Sequence, residues 1–145
     1  MSLSPEICLR GVLDTLQNRI TPALTDSFAA EGARLAGLVL TIVTNGIDDV
    51  AAIRIAENAA LRELFRDAAG VVGDAGLAGQ LEGAGSAEGS GYRLSELDAE
   101  NGQLRGLLVE LHMAVEDQGG DKARAIASRI WRMLKDFEAA RAPRR

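Results

Sequence analysis

Leu97, Leu104 and Leu111 recur every seven residues, and Leu94, Asn101, Leu108 and Val115 form a second seven-residue series between them. With the first series at d and the second at a, residues 94–115 read as a helix seam that carries one polar residue, Asn101, at an a position. A stripe of this kind must be covered by other helices. Aromatic residues are only 3% of the chain. The core therefore has to come from Leu, Ile, Val and Ala, which favours close helix packing over a sandwich or barrel.

The rest of the chain reads the same way. Ser4-Pro5 starts a first helix, with Ser4 as N-cap and Pro5 at the first helical position. Leu9, Val12, Leu13, Leu16 and Ile20 line one face of it, and Thr21-Pro22 ends it. Asp26 or Thr25 caps a second helix, whose apolar face is Phe28, Leu35, Leu38, Val39 and Ile42. The small residues Gly32, Ala33, Ala36 and Gly37 permit close approach of a neighbour. Asn45-Gly46 is a C-cap or a kink, and Asp48 caps the third helix, with Val50, Ile53, Leu61, Leu64, Phe65 and Ala68 inward.

Residues 70–91 hold eight of the sixteen glycines. Each glycine costs about 1 kcal/mol in a helix interior, so the sequence predicts at most a short helical turn around residues 71–81. Residues 83–91 are expected to be a flexible loop. Ser95 with Asp98 resembles a capping box that would leave Leu94 outside the helix as a staple. Gly119-Gly120 ends that helix. Asp121 caps the last one, with Ala123, Ile126, Ala127, Ile130, Met133, Leu134 and Phe137 on one face.

Residues 56–64 and 99–107 match at six of nine positions and place Asn58 and Asn101 alike. Nine positions are few and the flanks differ, so this reads as convergence between two Ala-, Leu- and Arg-rich helices rather than a hydrogen-bonded, pseudo-symmetric pair. The seam around Asn101 also resembles a leucine zipper of the basic-zipper type over about 22 residues. That family has a basic DNA-contacting helix before its zipper. Here a Gly-rich segment with Arg93 alone precedes it, and Leu107 widens the apolar face. The departure removes specific nucleic-acid binding and leaves a helix inside a bundle. A buried Asn101 needs a polar partner.

Chemistry is sparse. His112 is the only histidine and Cys8 the only cysteine. His112 and Glu116 share a helix face but supply two ligands where metal sites need three or four, so neither a metal nor another cofactor is expected. The segment 83–89 lacks the strand and the Lys-Ser/Thr of a phosphate loop. Glu57 lies between Ile53 and Leu61 and reads as a carboxylate at the stripe edge, paired with Arg54 or Arg62. Were the bundle hollow, Glu57, Asn58, Asn101 and His112 would line its pocket.

The net charge of −5 hides an asymmetry. Residues 1–121 carry eight Arg and no Lys against 19 acidic residues, while residues 122–145 carry eight basic residues against Asp136 and Glu138. Lys122, Arg124, Arg129, Arg132 and Lys135 lie opposite the apolar stripe of the last helix, with Trp131 at its boundary. They read first as a solvated face complementing the acidic body, and second as a surface for anions or an acidic protein partner. The longest apolar run, residues 35–43, is too short for a bilayer that needs about 20 residues. With no signal peptide pattern and no cysteine pair, the expected compartment is the cytoplasm.

The sequence thus predicts an all-α protein: one domain over 1–145, an antiparallel up-down bundle of four to five helices (about 9–21, 26–44, 49–69, 96–117 and 122–140). A Gly-rich crossover loop and a disordered tail at 141–145 complete it. The expected function is that of a non-enzymatic helical interaction or accessory protein, self-associating as a homodimer through an apolar helix face. The alternative is a small ligand-binding bundle, or enzyme, enclosing an apolar or acyl-type ligand.

Overall fold

The computed structural model describes residues 3–89 and 91–142. Among these residues every regular element is helical, with six α-helices, one π-turn, one 3-10 turn and no strand. Where the sequence reads as one domain, the contacts fall into two compact units, Met1–Val50 and Ala51–Ala142.

The first unit is a helical hairpin. Helix α1 (Pro5–Thr15) starts as expected, with Ser4 extended in the cap position and Pro5 in the first turn. Its end widens into a π-turn at Leu16–Ile20 and closes as a 3-10 turn at Thr21–Ala23. The Leu16 carbonyl accepts the Thr21 backbone N–H, and the Thr21 hydroxyl adds a second bond to it at 2.8 Å. Helix α2 (Ser27–Gly46) is capped by Asp26, whose carboxylate accepts from the Ala29 N–H at 2.8 Å. Gly46 breaks the helix rather than kinking it. Residues 47–49 form a turn, and the Asp49 N–H donates to the Gly46 carbonyl at 3.0 Å.

The inward face of α2 differs from the expected one. The buried residues are Ala30, Gly37 and Thr44, seven apart. Phe28, Leu35, Leu38, Val39 and Ile42, assigned inward from the sequence, are all exposed. The hairpin closes on the thin side of α2: at Gly37 the Gln17 and Leu16 side chains lie 3.6–3.9 Å from where a Cβ would stand, ordinary contact distances. Helix α1 has 11 residues and buries none of them, and it leaves the bulky side of α2 uncovered.

The second unit contains α3 (Val50–Ala68), α4 (Ala75–Ser86), α5 (Leu94–Gln118) and α6 (Asp121–Arg141). Its core joins Leu61, Leu64 and Phe65 of α3, Leu81 of α4, Leu104, Leu108 and Leu111 of α5, and Ile126, Ile130 and Phe137 of α6. The α5 seam is buried as read, from Leu97 through Asn101 to Val115, while Leu94 is exposed.

Four local expectations are corrected. Helix α4 is a full 12 residues and runs to Ser86, four residues into the expected loop. Its glycine cost is offset by tertiary and capping contacts. Asp74 accepts from the Leu77 N–H at 2.7 Å, Leu81 is fully buried, and Arg66 of α3 donates to the Gly85 carbonyl at 2.6 Å. At the start of α5, the Arg93 N–H donates to Glu96 at 3.3 Å, so the box lies two residues earlier than Ser95 and Asp98. Between α5 and α6, Gly119 and Gly120 have φ of +64° and +87°, which only glycine adopts readily; Gly120 takes the cap position expected of Asp121. Finally, Arg141 belongs to α6 and Ala142 is its C-cap, rather than a tail, and the last three residues of that predicted tail, 143–145, lie outside the described residues.

Candidate functional site

Three of the four candidate pocket residues meet, and they meet without a pocket. Glu57, Asn58 and Asn101 are each at most 4% exposed. The Asn101 side-chain amide donates to Asn58 Oδ1 at 2.8 Å and to Glu57 Oε2 at 3.2 Å. Asn58 in turn donates to the Leu97 carbonyl at 3.2 Å, and Asn101 Oδ1 accepts from Arg105 Nε at 3.0 Å. The two Asn side chains that the similarity between 56–64 and 99–107 places alike are thus hydrogen-bonded to one another.

Glu57 is the hub. Arg141, 84 residues away, donates to both its oxygens at 2.5 Å, Arg54 adds a bond at 3.0 Å, and Arg105 lies 3.6 Å off. Burial works to raise the Glu57 carboxyl. The Arg141 hydrogen bonds and charge, with Arg54 and Arg105, outweigh it and hold the group below its ordinary value. Arg141 is pushed up by the same bonds. Of the two partners expected for Glu57, Arg54 is present. Arg62 instead donates to Glu100 at 2.5 Å. Arg105 also lies 5.6 Å above the Phe137 ring. A carboxylate held this firmly ionised accepts hydrogen bonds and is a poor general base.

His112 is not part of this cluster, since it stands eleven helical positions beyond Asn101, or about 16 Å. It lies edge-on to Trp131, with ring centroids 5.3 Å apart, and its Nε2 is 3.2 Å from Glu116 but directed off the hydrogen-bond line. Among the described residues no group of three His, Cys, Asp or Glu is placed to hold a metal. Cys8 is exposed and unpaired.

The basic face of α6 is partly used up. Arg129 pairs with Asp67 at 2.5 Å and Arg124 with Asp121 at 2.5 Å. Lys122, Arg132 and Lys135 have no ion pair among the described residues. An open groove of about 450 Å³ lies along this helix between α3 and α6, lined by Ala60, Glu63, Arg129, Arg132, Met133, Asp136 and Phe137. Its mixed charges mark no single ligand chemistry.

The largest chemical anomaly was hidden in plain view on α2. Phe28 is 88% exposed and Leu35 61%, with Leu38, Val39, Ile42 and Val43 about half exposed. By length and composition α2 is also apolar enough to cross a membrane, which the nine-residue run at 35–43 concealed because Gly, Ala and Thr extend it. Periodicity signalled the face; nothing local signalled which way it points. No protein-family model, curated protein or solved structure matches this chain.

Proposed function

We propose that this chain is a helical interaction protein that self-associates through the outward face of α2. One observation carries the reading: six large apolar side chains on one helix, Phe28, Leu35, Leu38, Val39, Ile42 and Val43, are exposed to solvent. Contiguous exposed apolar surface on a single chain is a mark of an interaction site. The second unit, read as an antiparallel up-down arrangement of α3, α5 and α6 with α4 beside it, would be the stable body that carries the hairpin. The ligand-enclosing alternative draws no support from Glu57, Asn58 and Asn101, whose polar atoms are bonded to protein groups.

The test is sedimentation velocity over a wide concentration range, on the parent and on a Leu35→Gln/Val39→Gln variant. A dimer that the variant loses, with its helical content retained, is the expected result. A parent that stays monomeric throughout refutes the reading.

A further inference from the structure

Resting on that reading, we infer that the occupant of the α2 face is the α2 of a second copy, packed antiparallel about a two-fold axis level with Gly37. The outward residues Phe28, Gly32, Leu35, Val39, Ile42 and Gly46 are separated alternately by four and three positions. That is the spacing of a helix seam, with Gly32, Val39 and Gly46 at a and Phe28, Leu35 and Ile42 at d. The series buried within the hairpin, Ala30, Gly37 and Thr44, falls at f, opposite the seam. Thus α2 has two packing faces, and α1 fills the thin one. The seam carries no polar side chain, and the nearby Thr41 and Thr44 hydroxyls are satisfied within the helix at 2.8 and 2.7 Å.

The order of sizes along the seam sets the direction. In an antiparallel pair each a residue meets a d residue of the other helix. Phe28 then meets Gly46, Gly32 meets Ile42, and Leu35 meets Val39, each layer occurring twice by symmetry. The bulkiest side chain faces a glycine, and the other glycine faces a branched residue. A parallel in-register pair instead stacks Phe28 on Phe28 and leaves Gly32 opposite Gly32, crowding one layer and emptying the next. The edges agree. Antiparallel packing sets Ala36 against Ala36, Ala29 against Val43 and Glu31 against Asn45, so no carboxylate within the helix edges meets another.

Charge favours a second copy over lipid. Asp26 stands at one end of α2 and Asp48 and Asp49 just beyond the other. The three Arg of residues 1–50 are outnumbered by six acidic residues, and that stretch contains no Lys, Trp or Tyr. Membrane-crossing helices are anchored by such residues, and anionic headgroups repel acidic ends. Within the helix, Glu31 and Arg34 form an ion pair at 2.9 Å. The area suffices: with about 150–200 Å² for a large side chain fully exposed, the outward residues present roughly 500–600 Å² per copy. Two copies then bury about 1,000–1,200 Å², the lower edge of a specific interface.

Single cysteines introduced into a Cys8→Ser background, treated with a short bismaleimide and followed by sedimentation, test the arrangement. The expected result is a dimer in which Ala36→Cys links to itself, while Ala29→Cys links only when mixed with Val43→Cys. A dimer in which Phe28→Cys links to itself and Ala36→Cys does not overturns the antiparallel pairing and leaves self-association standing. A chain that is monomeric at every concentration removes both. So does a monomer that floats with phosphatidylcholine vesicles, because lipid would then be the occupant.

Discussion

The side-chain amide of Asn101 donates to Asn58 Oδ1 at 2.8 Å, tying α5 to α3 in the middle of an otherwise apolar seam. A lone polar residue at an a position suggests, from sequence, a register device whose replacement by Leu is harmless to stability. The observed partners reverse that expectation. Asn101→Leu strips a donor from Asn58 and Glu57 and an acceptor from Arg105; Glu57 keeps Arg54 and Arg141, but the buried Asn58 Oδ1 loses its donor, at a cost of about 1–3 kcal/mol. Urea unfolding should show the loss. An Asn58→Leu/Asn101→Leu double variant should lose less than the sum of the two single changes, because the pair is removed together.

Glu57 and Arg141 form the longest-range ionic link described, and its disruption should be expensive. Glu57→Ala leaves Arg54, Arg105 and Arg141 facing one another without the carboxylate. Breaking such a pair costs about 3–5 kcal/mol when fully buried, and the lower end applies because Arg141 is 40% exposed. Glu57→Gln should fall between Ala and the parent. The measurement is the midpoint of chemical unfolding at neutral pH.

The same carboxylate sets an acid dependence. Its folded-state pKa lies below its ordinary value of 4.5. The unfolded chain therefore binds the proton first as pH falls. The stabilisation is full above about 4.5 and disappears as pH drops through the depressed value. Stability measured between pH 7 and 3 should decline at the acid end, and Glu57→Gln should flatten the part of that decline owed to Glu57. An unchanged slope in the variant would remove Glu57 from the account.

Periodicity carried the legible part of the fold. The α5 seam, a cap at Asp26 or Thr25, the Ser4-Pro5 start and the inward Leu61, Leu64, Phe65 and Ala68 of α3 follow from residues within one or two turns of each other, whereas Val50 and Ile53, also read as inward, are only partly buried. Two things were not legible. Helix α4 looked too glycine-rich to form, because what holds it, Leu81 in the core and Arg66 on its C-terminal carbonyls, comes from elsewhere in the chain. Phe28, Leu35 and Ile42 mark a face that packs, yet the spacing cannot say against what. The hub had one faint signal: Arg141 stands four residues after Phe137 and so continues the α6 stripe that contains it, which reading 141–145 as tail obscured.

Glycines in the second unit should split into two behaviours. At Gly85, a Cβ would lie 2.7 Å from Arg66 Cγ and 3.0 Å from the Arg62 carbonyl and the Arg66 nitrogen. Backbone atoms cannot yield cheaply, so Gly85→Ala should cost about 1–3 kcal/mol. Gly102, inside α5, has nothing within 4 Å. There Gly102→Ala should gain about 0.5–1 kcal/mol by narrowing the unfolded ensemble and improving helix propensity. Thermal melts of the two variants should move in opposite directions.

The remaining surface charge argues for weak anion binding. Of the five basic residues on the outer face of α6, Arg124 and Arg129 are engaged with Asp121 and Asp67. Lys122, Arg132 and Lys135 are left, and Glu63 and Asp136 line the groove beside Arg132. Three cations give a shallow salt slope, so retention on heparin should be slight at low salt and gone by about 0.2 M. Asp67→Asn removes the closer of the two carboxylates beside Arg129, leaving Glu63 at 4.0 Å, and should lengthen retention, whereas Lys135→Gln should shorten it. Retention that persists at high salt would mean specific recognition of an anion by contacts other than these charges.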